Sequence, residues 1–325
     1  SFDGGQTWQA MQIPMDMGTW GGKSQAMNGV SDPNIIVDKN TNTIYIAAVW
    51  MHGTFEDIRK KKGWIHQWHS TCPGAGLKPT ETTQFLMVKS NDDGRTWSKP
   101  VNMTETLKKK EWQLFSSSAG FGITMKDGTL VMPGQGRDEK GGNFSCIIYS
   151  KDHGKTWKVS NKAISTPKGT TECAVVELSD GSLMLNMRDN RNGNKGPGRT
   201  VAVTSDMGET WMEHSSSNNN TLPSPRCMAT ILKHEYSENG KSKSVLLFAN
   251  PNTSKGRYNM TIKVSFDDGK TWPKSHHLLI DEKKSYGYSC LSSIDNDHIG
   301  FLFEGSQSHL SFVKIPLNEL LQTKK

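Results

Sequence analysis

The hydrophobic residues of this chain fall in short runs that are separated by polar turns. In one stretch, Phe121–Met125, Thr129–Gln135 and Phe144–Ser150 are runs of strand length, and Asp127-Gly128 forms a turn signal between the first two. Runs of about four to eight such residues, bounded by Gly and Asp, are typical of β-strands. The same order of runs recurs along the chain. The pattern therefore predicts an all-β protein built from repeated groups of four antiparallel strands.

The fourth strand of each group follows a turn whose sequence, (S/T)-x-D-x-G-x-T-W, occurs five times and is called a box below. The boxes are Ser1–Trp8, Ser90–Trp97, Ser150–Trp157, Thr204–Trp211 and Ser265–Trp272. In each box the Asp carboxylate can accept backbone N–H bonds and the Gly can supply a positive φ. The Trp offers a large apolar face for packing. Repeats at this spacing predict a propeller, solenoid or array, and four-stranded units favour the β-propeller.

Counting the strands between boxes predicts six blades. Residues 1–13 contain only a box and a fourth strand, four complete groups follow, and the last group, from Tyr288 onward, has three strands. The expected fold is a six-bladed β-propeller of four-stranded antiparallel blades, with the first blade incomplete in this chain. Residues 1–325 form one domain in this interpretation. The long interval between the first two boxes predicts an insertion at about 51–82.

Composition narrows the class of function. The formal net charge is +7, and no basic run is interleaved with aromatic residues in the manner of a nucleic-acid site, whereas an anionic substrate suits this charge. The five cysteines are odd in number and form no CxxC pair, so they are interpreted as small core residues. No apolar run reaches the roughly 18 residues that a membrane-spanning helix needs.

Because successive strands run in opposite directions, several charged or potentially reactive side chains are predicted on the face opposite the boxes. In each blade the start of the first strand, the end of the second and the approach to the third lie on that face. The residues predicted there are Asp32, Trp50, Glu172, Arg188, Arg257, Tyr288 and Glu304. Two arginines can bind a carboxylate or phosphate through their planar guanidinium groups. A Tyr beside a Glu can become a nucleophile when the Glu takes its proton. The set predicts substitution at an anionic substrate.

With these residues in place, the chain resembles the bacterial exo-sialidase (neuraminidase) family. Besides the boxes, the segments that carry the resemblance are GTTECAVVEL, LNMRDNRNG, KGRYNMTIKVSFDDGKTW, YGYSCLSSI, LFEG and VSDPNIIVD. The resemblance covers essentially the whole chain. It implies retaining hydrolysis of terminal sialic acids from glycoproteins, glycolipids and oligosaccharides, with no cofactor and no metal. It also implies a secreted, periplasmic or cell-surface protein.

The resemblance assigns a role to each residue of the predicted site. Tyr288 is implied as nucleophile and Glu172 as the base beside it. Arg188 and Arg257 match the second and third arginines of a triad that binds the substrate carboxylate, and Glu304 matches a residue that orients the first arginine. The remaining implied contacts are Asp32 with the sugar and Trp50 with the N-acyl group.

The first arginine and the acid/base Asp of that family precede its first box, where this sequence begins. The segment that carries them is expected to be cleaved or supplied as a separate chain, and activity is expected to need it. Three other functions stay open at this point. They are a non-catalytic sialoside-binding propeller, a trans-sialidase with a second sugar site, and a structural propeller. The joint presence of Tyr288 and Glu172 argues for an enzyme.

Overall fold

The computed structural model describes residues 1–52, 74–164, 169–190, 198–218 and 220–322. Strands dominate these residues. The described helical segments are short: α1 (Thr104–Leu107), α2 (Leu317–Leu321) and the 3-10 turns Gln25–Met27 and Lys274–His276. The all-β prediction is confirmed. None of the helices described is long and apolar enough to cross a membrane. The predicted insertion at 51–82 falls mostly on residues 53–73, outside the described residues.

The chain divides into two compact units, Gln12–Ser165 and the combination of Ser1–Met11 with Thr166–Lys325. The unit Gln12–Ser165 has ten described strands: β1 (Asn28–Asp38), β2 (Thr43–His52), β3 (Gln84–Ser90), β4 (Val101–Asn102), β5 (Leu114–Ser117), β6 (Gly120–Phe121), β7 (Ile123–Thr124), β8 (Leu130–Arg137), β9 (Asn143–Ser150) and β10 (Lys158–Val159). They form one sheet in the order β4-β3-β2-β1-β6 and another in the order β10-β9-β8-β5, with β7 also paired to β8. Among the described strands of this unit, only the β1–β6 pairing is parallel.

The other unit holds three described sheets. Their strands are β11 (Thr170–Glu177), β12 (Leu183–Asp189), β13 (Thr200–Thr204), β14 (Met212–Glu213), β15 (Thr230–Glu238), β16 (Lys241–Pro251), β17 (Met260–Ser265), β18 (His277–Asp281), β19 (Ser289–Asp295), β20 (His298–Phe303) and β21 (Ser311–Pro316). The sheets are the antiparallel meanders β11–β14, β15–β18 and β19–β21. Consecutive hairpins of this kind are what the repeated hydrophobic pattern predicts. The core of this unit lies between neighbouring sheets, where residues of β11 to β13 pack against residues of β15 and β16.

The box turns are held by their own residues. In the last box, Ser265 Oγ donates to Asp267 Oδ1 at 2.8 Å, and the other Asp267 oxygen accepts from Thr271 Oγ1 at 2.7 Å. The backbone N–H of Thr271 also donates to Asp267 Oδ1, at 2.9 Å. Gly269 has φ +79° and its carbonyl accepts from the Trp272 indole at 3.0 Å. The predicted roles of Asp and Gly in the turn are confirmed.

The N-terminal box packs within the same unit against the last sheet. The ring of Trp8 meets Phe312 of β21 edge-on, with centroids 5.3 Å apart. Gly5 approaches the same ring so closely that a Cβ there would lie 2.2 Å from Phe312 Cε1. Trp8 therefore contacts the three-stranded β19–β21 sheet, and the assignment of this box to a separate first blade stays a prediction. The described residues contain five sheets, so the sixth predicted blade is not confirmed.

Candidate active site

A phenol and a carboxylate from different sheets meet in the unit that contains Thr166–Lys325. Tyr288 directly precedes β19, and its hydroxyl donates a hydrogen bond to Glu172 Oε1. Glu172 lies on β11 where the pairing with β12 shifts between Thr170 and Cys173. Such a bulge re-aims a side chain at the strand end. The predicted hydrogen bond between Tyr288 and Glu172 is confirmed.

Arg188 completes a compact triad with these two residues. It lies near the end of β12, and its Nη1 forms an ion pair with Glu172 Oε2 while lying 3.4 Å from the Tyr288 hydroxyl oxygen. The two oxygens of Glu172 therefore serve different partners. Arg188 is thus paired with one protein carboxylate, yet its buried Nε has no hydrogen-bond partner among the described residues, so its guanidinium is not fully paired. Its side chain is only 21% exposed, and an enclosed guanidinium needs a partner.

The surroundings of the triad keep the phenol neutral. Burial raises the pKa of Tyr288, and the charge of Glu172 together with its hydrogen bond raises it further, while the Arg188 cation acts in the opposite direction. Burial disfavours the charge of Arg188, but Glu172 and Tyr288 outweigh it, so the pKa of Arg188 is raised. Near neutral pH the site therefore presents a protonated tyrosine, hydrogen-bonded to a potential proton acceptor and next to a fixed cation.

Arg257 flanks the same tyrosine from the loop before β17. Its guanidinium carbon lies 5.5 Å from the centre of the Tyr288 ring, and its Nη1 donates to the carbonyl of Tyr286 at 2.7 Å. Its Nη2 lies at 3.5 Å from the carbonyl of Arg226. Among the described residues no carboxylate forms an ion pair with Arg257. Arg257 therefore brings a positive charge beside Tyr288 that an external anion can share.

Glu304 fixes the backbone of Tyr288. It directly follows β20, and its Oε2 accepts the Tyr288 N–H at 2.9 Å. The Glu304 N–H in turn donates to the Tyr288 carbonyl at 2.9 Å. The strand register, which predicted Glu304 and Tyr288 on one face, is confirmed by this reciprocal pair. The predicted role of Glu304 in orienting another arginine stays a prediction.

Asp32 and Trp50 belong to the other unit. Asp32 is nearly buried with φ +53°, in a β1 bulge, and its Oδ2 accepts from Ser31 Oγ at 2.8 Å. Its predicted contact with a sugar stays a prediction. Trp50 is fully buried, donates its indole N–H to Asn28 at 3.0 Å and packs edge-on against Trp20 at 4.8 Å. The prediction that Trp50 lines a ligand pocket is corrected, because an enclosed indole offers no surface to a ligand.

Two buried residues lie near the triad: Arg199, which sequence reasoning did not single out, and Cys227, which it interpreted only as a small core residue. Arg199 immediately precedes β13 and is 1% exposed, and Cys227 is 0% exposed. The only sequence signal is a charged residue directly before the apolar strand TVAVT. No cluster of three or more His, Cys, Asp or Glu side chains that could hold a metal ion occurs in the part of the chain that the structure describes.

Repeated antiparallel sheets define the β-propeller class of protein, and a Tyr–Glu–Arg triad lies at strand ends of one unit. Residues 1–291 match the family model described as a BNR repeat-like domain. A sialidase of Bacteroides fragilis is 45% identical over 322 residues, which cover 99% of this chain and 56% of that protein. A sialidase of Micromonospora viridifaciens is 29% identical over 314 residues, which cover 94% and 44% of the two chains.

A solved structure agrees with these relatives. That of a Hadza microbial sialidase has a TM-score of 0.87 at 43% identity and covers 98% of this chain and 59% of that one. The chain belongs to the BNR repeat-like domain family, and the resemblance to bacterial sialidases is confirmed by the relatives that it matches. It spans less than two thirds of the length of these relatives.

Proposed function

We propose that the protein is an exo-sialidase that removes terminal sialic acids from glycoconjugates with retention, through a covalent bond to Tyr288. The observation that carries this proposal is the hydrogen bond from the Tyr288 hydroxyl to Glu172, with Arg188 paired to the second oxygen of Glu172. The anomeric carbon of sialic acid bears a carboxylate, which would repel an anionic nucleophile. A neutral phenol avoids that repulsion, and glycosidases with a Tyr nucleophile are a known exception to the two-carboxylate rule.

In the proposed reaction, Arg188 and Arg257 bind the substrate carboxylate beside Tyr288. The tyrosine oxygen forms a bond to the anomeric carbon as its proton passes to Glu172. The glycosidic bond breaks, and its electron pair leaves on the aglycone oxygen, which takes a proton from a general acid that we do not assign to a described residue. Water then attacks the same carbon and gives up one proton to the conjugate base of that general acid, while the bond to tyrosine breaks and Glu172 returns its proton to the phenol oxygen. Two displacements at one carbon give retention.

The proposal is tested with the complete protein and a fluorogenic sialoside. Tyr288→Phe should lower kcat by at least about 100-fold, since a positioned nucleophile and its base contribute factors of that order. The matched control is Tyr149→Phe on β9, a partly buried tyrosine of the other unit, which should keep parental activity. Incubation with 2,3-difluorosialic acid should add a sialyl mass to the peptide that carries Tyr288. An adduct on the Glu172 peptide would contradict the assignment of the nucleophile.

Binding without turnover is the alternative that the same experiment separates. If the parent protein binds a sialoside in calorimetry but neither hydrolyses nor transfers it, the propeller is a sialoside-binding module. Transfer to a second sugar, seen as a new sialoside by NMR, would indicate a trans-sialidase.

We also propose six blades for the complete fold, supported by the strand count between the boxes, and a location outside the cytoplasm, where sialylated glycans are found. A crystal structure of the complete protein and cell fractionation test these two points.

A further inference from the structure

Arg199 is a buried cation whose partners are all neutral. Its Nε donates to Asn186 Oδ1 at 2.7 Å and its Nη2 to the Asn186 carbonyl at 3.3 Å. Its Nη1 donates to the carbonyl of Cys227 at 2.6 Å. No ion pair to Arg199 occurs among the described residues. Burial lowers the pKa of Arg199 to about 10, so the group stays charged at neutral pH. Enclosing a cation without a carboxylate is costly, so the contacts that it makes must offset that cost.

The two ends of this guanidinium reach the two segments that carry the triad. Asn186 lies two residues before Arg188 on β12, so both side chains project from the same face of that strand. On the other side, the Cys227 thiol donates to the carbonyl of Gly287 at 3.3 Å, and Gly287 is joined to Tyr288. Gly287 has φ +90°, and a Cβ there would lie 3.1 Å from Cys227 Sγ. Cys227 therefore packs directly against the backbone that presents the phenol.

We propose that Arg199 is a positioning residue that joins the end of β12 to the Cys227 segment and thereby fixes Arg188 and Tyr288 relative to Glu172. The charge of Glu172 raises the pKa of Arg199, although burial lowers it more. Among the described residues, Arg199 forms no hydrogen bond to the side chains of Glu172, Arg188 or Tyr288. The proposal rests on the proposed function for its kinetic readout only, because the link to Cys227 can be measured without turnover.

The test compares Arg199→Lys, which keeps the charge but loses the planar fork, with Arg199→Met, which loses both. With the complete protein and a fluorogenic sialoside, both variants should lose at least about 10-fold in kcat while KM changes by less than about 3-fold. Lys263→Met, which removes another buried cation of the same unit, should keep the parental kcat.

The second measurement is alkylation of Cys227 by iodoacetamide, followed by mass spectrometry. Burial raises the pKa of this thiol to about 11, which keeps it unreactive in the parent. Labelling should be at least about 10-fold faster in Arg199→Lys, with buried Cys146 of the other unit unchanged as internal reference. Cys227→Ala, which keeps Arg199, should reproduce the fall in kcat.

Unchanged kcat in both Arg199 variants, or an equal rise of KM and fall of kcat, overturns the proposal and leaves Arg199 a purely structural residue. If the parent itself turns over no sialoside, the proposed function fails but this inference is still decided by labelling. Faster alkylation of Cys227 then supports the link, and an unchanged rate overturns it.

Discussion

Lys263 is a buried amine whose removal should stabilise the fold. It lies on β17, is 0% exposed, and its Nζ has no hydrogen-bond partner among the described residues. The ring of Phe248 packs beside the amine, with its centre 5.5 Å from Nζ. Phe248 belongs to the apolar cluster between the sheets β11–β14 and β15–β18, together with Val176 and Trp272. A titratable amine is therefore enclosed beside an apolar cluster.

The size of the effect follows from proton linkage. Burial lowers the pKa of Lys263 from 10.5 to about 7. Between these values the unfolded chain holds a proton at this site that the folded chain has lost, so stability rises with pH across that window and is lost as pH falls. Integration gives a cost of about 4 kcal/mol at pH 7 relative to pH above 10.5. Between pH 9 and pH 6 the cost increases by about 3 kcal/mol.

Lys263→Met keeps a flexible unbranched side chain and removes the titrating group. We expect it to melt above the parent at pH 6 and pH 9, with an advantage larger at pH 6 by roughly 5 °C, from about 2 °C per kcal/mol for a protein of this size. Differential scanning fluorimetry at both pH values measures this. Lys241→Met, an exposed lysine on β16 of the same sheet, is the control and should show no such difference.

One neighbouring group also titrates. His277 of β18 pairs with Lys263 across the ladder, and burial lowers the pKa of His277, with Lys263 adding to this effect. Because His277 is present in both proteins, comparing variant with parent cancels its own contribution and leaves only its coupling to Lys263. An equal gain at pH 6 and pH 9, or a variant that melts below the parent at pH 6, would show that the amine is not enclosed without a partner as described.

Three further outcomes are expected. Arg188→Lys should lower kcat/KM for a sialoside by roughly 10- to 100-fold, because a charge-assisted hydrogen bond is worth about 1.5–3 kcal/mol, while Arg95→Lys on the exposed second box should match the parent in the same assay. Glu304→Gln should stay within about 3-fold of the parental kcat, since an amide oxygen can still accept the Tyr288 N–H; loss of activity would indicate an acid–base role instead. Asp206→Asn should lower the melting temperature at pH 7, and the gap from the parent should close on acidification, because bonds from Thr210 hold the pKa of Asp206 at about 2 and that stabilisation is lost between pH 3.8 and 2.

Periodicity predicted the parts of the site that depend on strand ends. Glu172 and Tyr288 each lie at the start of the first strand of a blade. Because the same number of strands recurs between boxes, the sequence alone predicts that both starts lie on one face. The depth of a residue is a different matter. Trp50 lies at the predicted end of its strand, but Trp20 and Asn28 enclose it. These two residues come from a part of the sequence that shows no repeat pattern, so their packing on Trp50 could not be predicted. The alternation of side chains along a strand shows which face of the sheet a residue is on, but it does not show how deeply other parts of the chain bury that residue.

Hydrogen bonds to backbone carbonyls also could not be predicted from the sequence. Arg199 binds the carbonyls of Asn186 and Cys227, and any residue type could supply such an acceptor. Likewise, the ion pair between Arg188 and Glu172 depends on a bulge in β11, which shifts the register by local geometry that the residue letters do not mark. The packing of Trp8 on Phe312 joins the two ends of the sequence, and no local pattern relates residues so far apart.

The boxes carry a consequence for how such a chain could arise. In the box of Thr204–Trp211, the Asp206 carboxylate takes bonds from Thr204 and Thr210, all within eight residues. A turn that satisfies its own polar groups needs no complementary sequence elsewhere, so a copy inserted next to the original already folds its corner correctly. After tandem duplication of one ancestral hairpin unit, only the apolar faces between sheets would need to change, because each copy already contains a complete box turn. Later divergence could concentrate on the opposite strand ends, where chemistry can change without disturbing the joints.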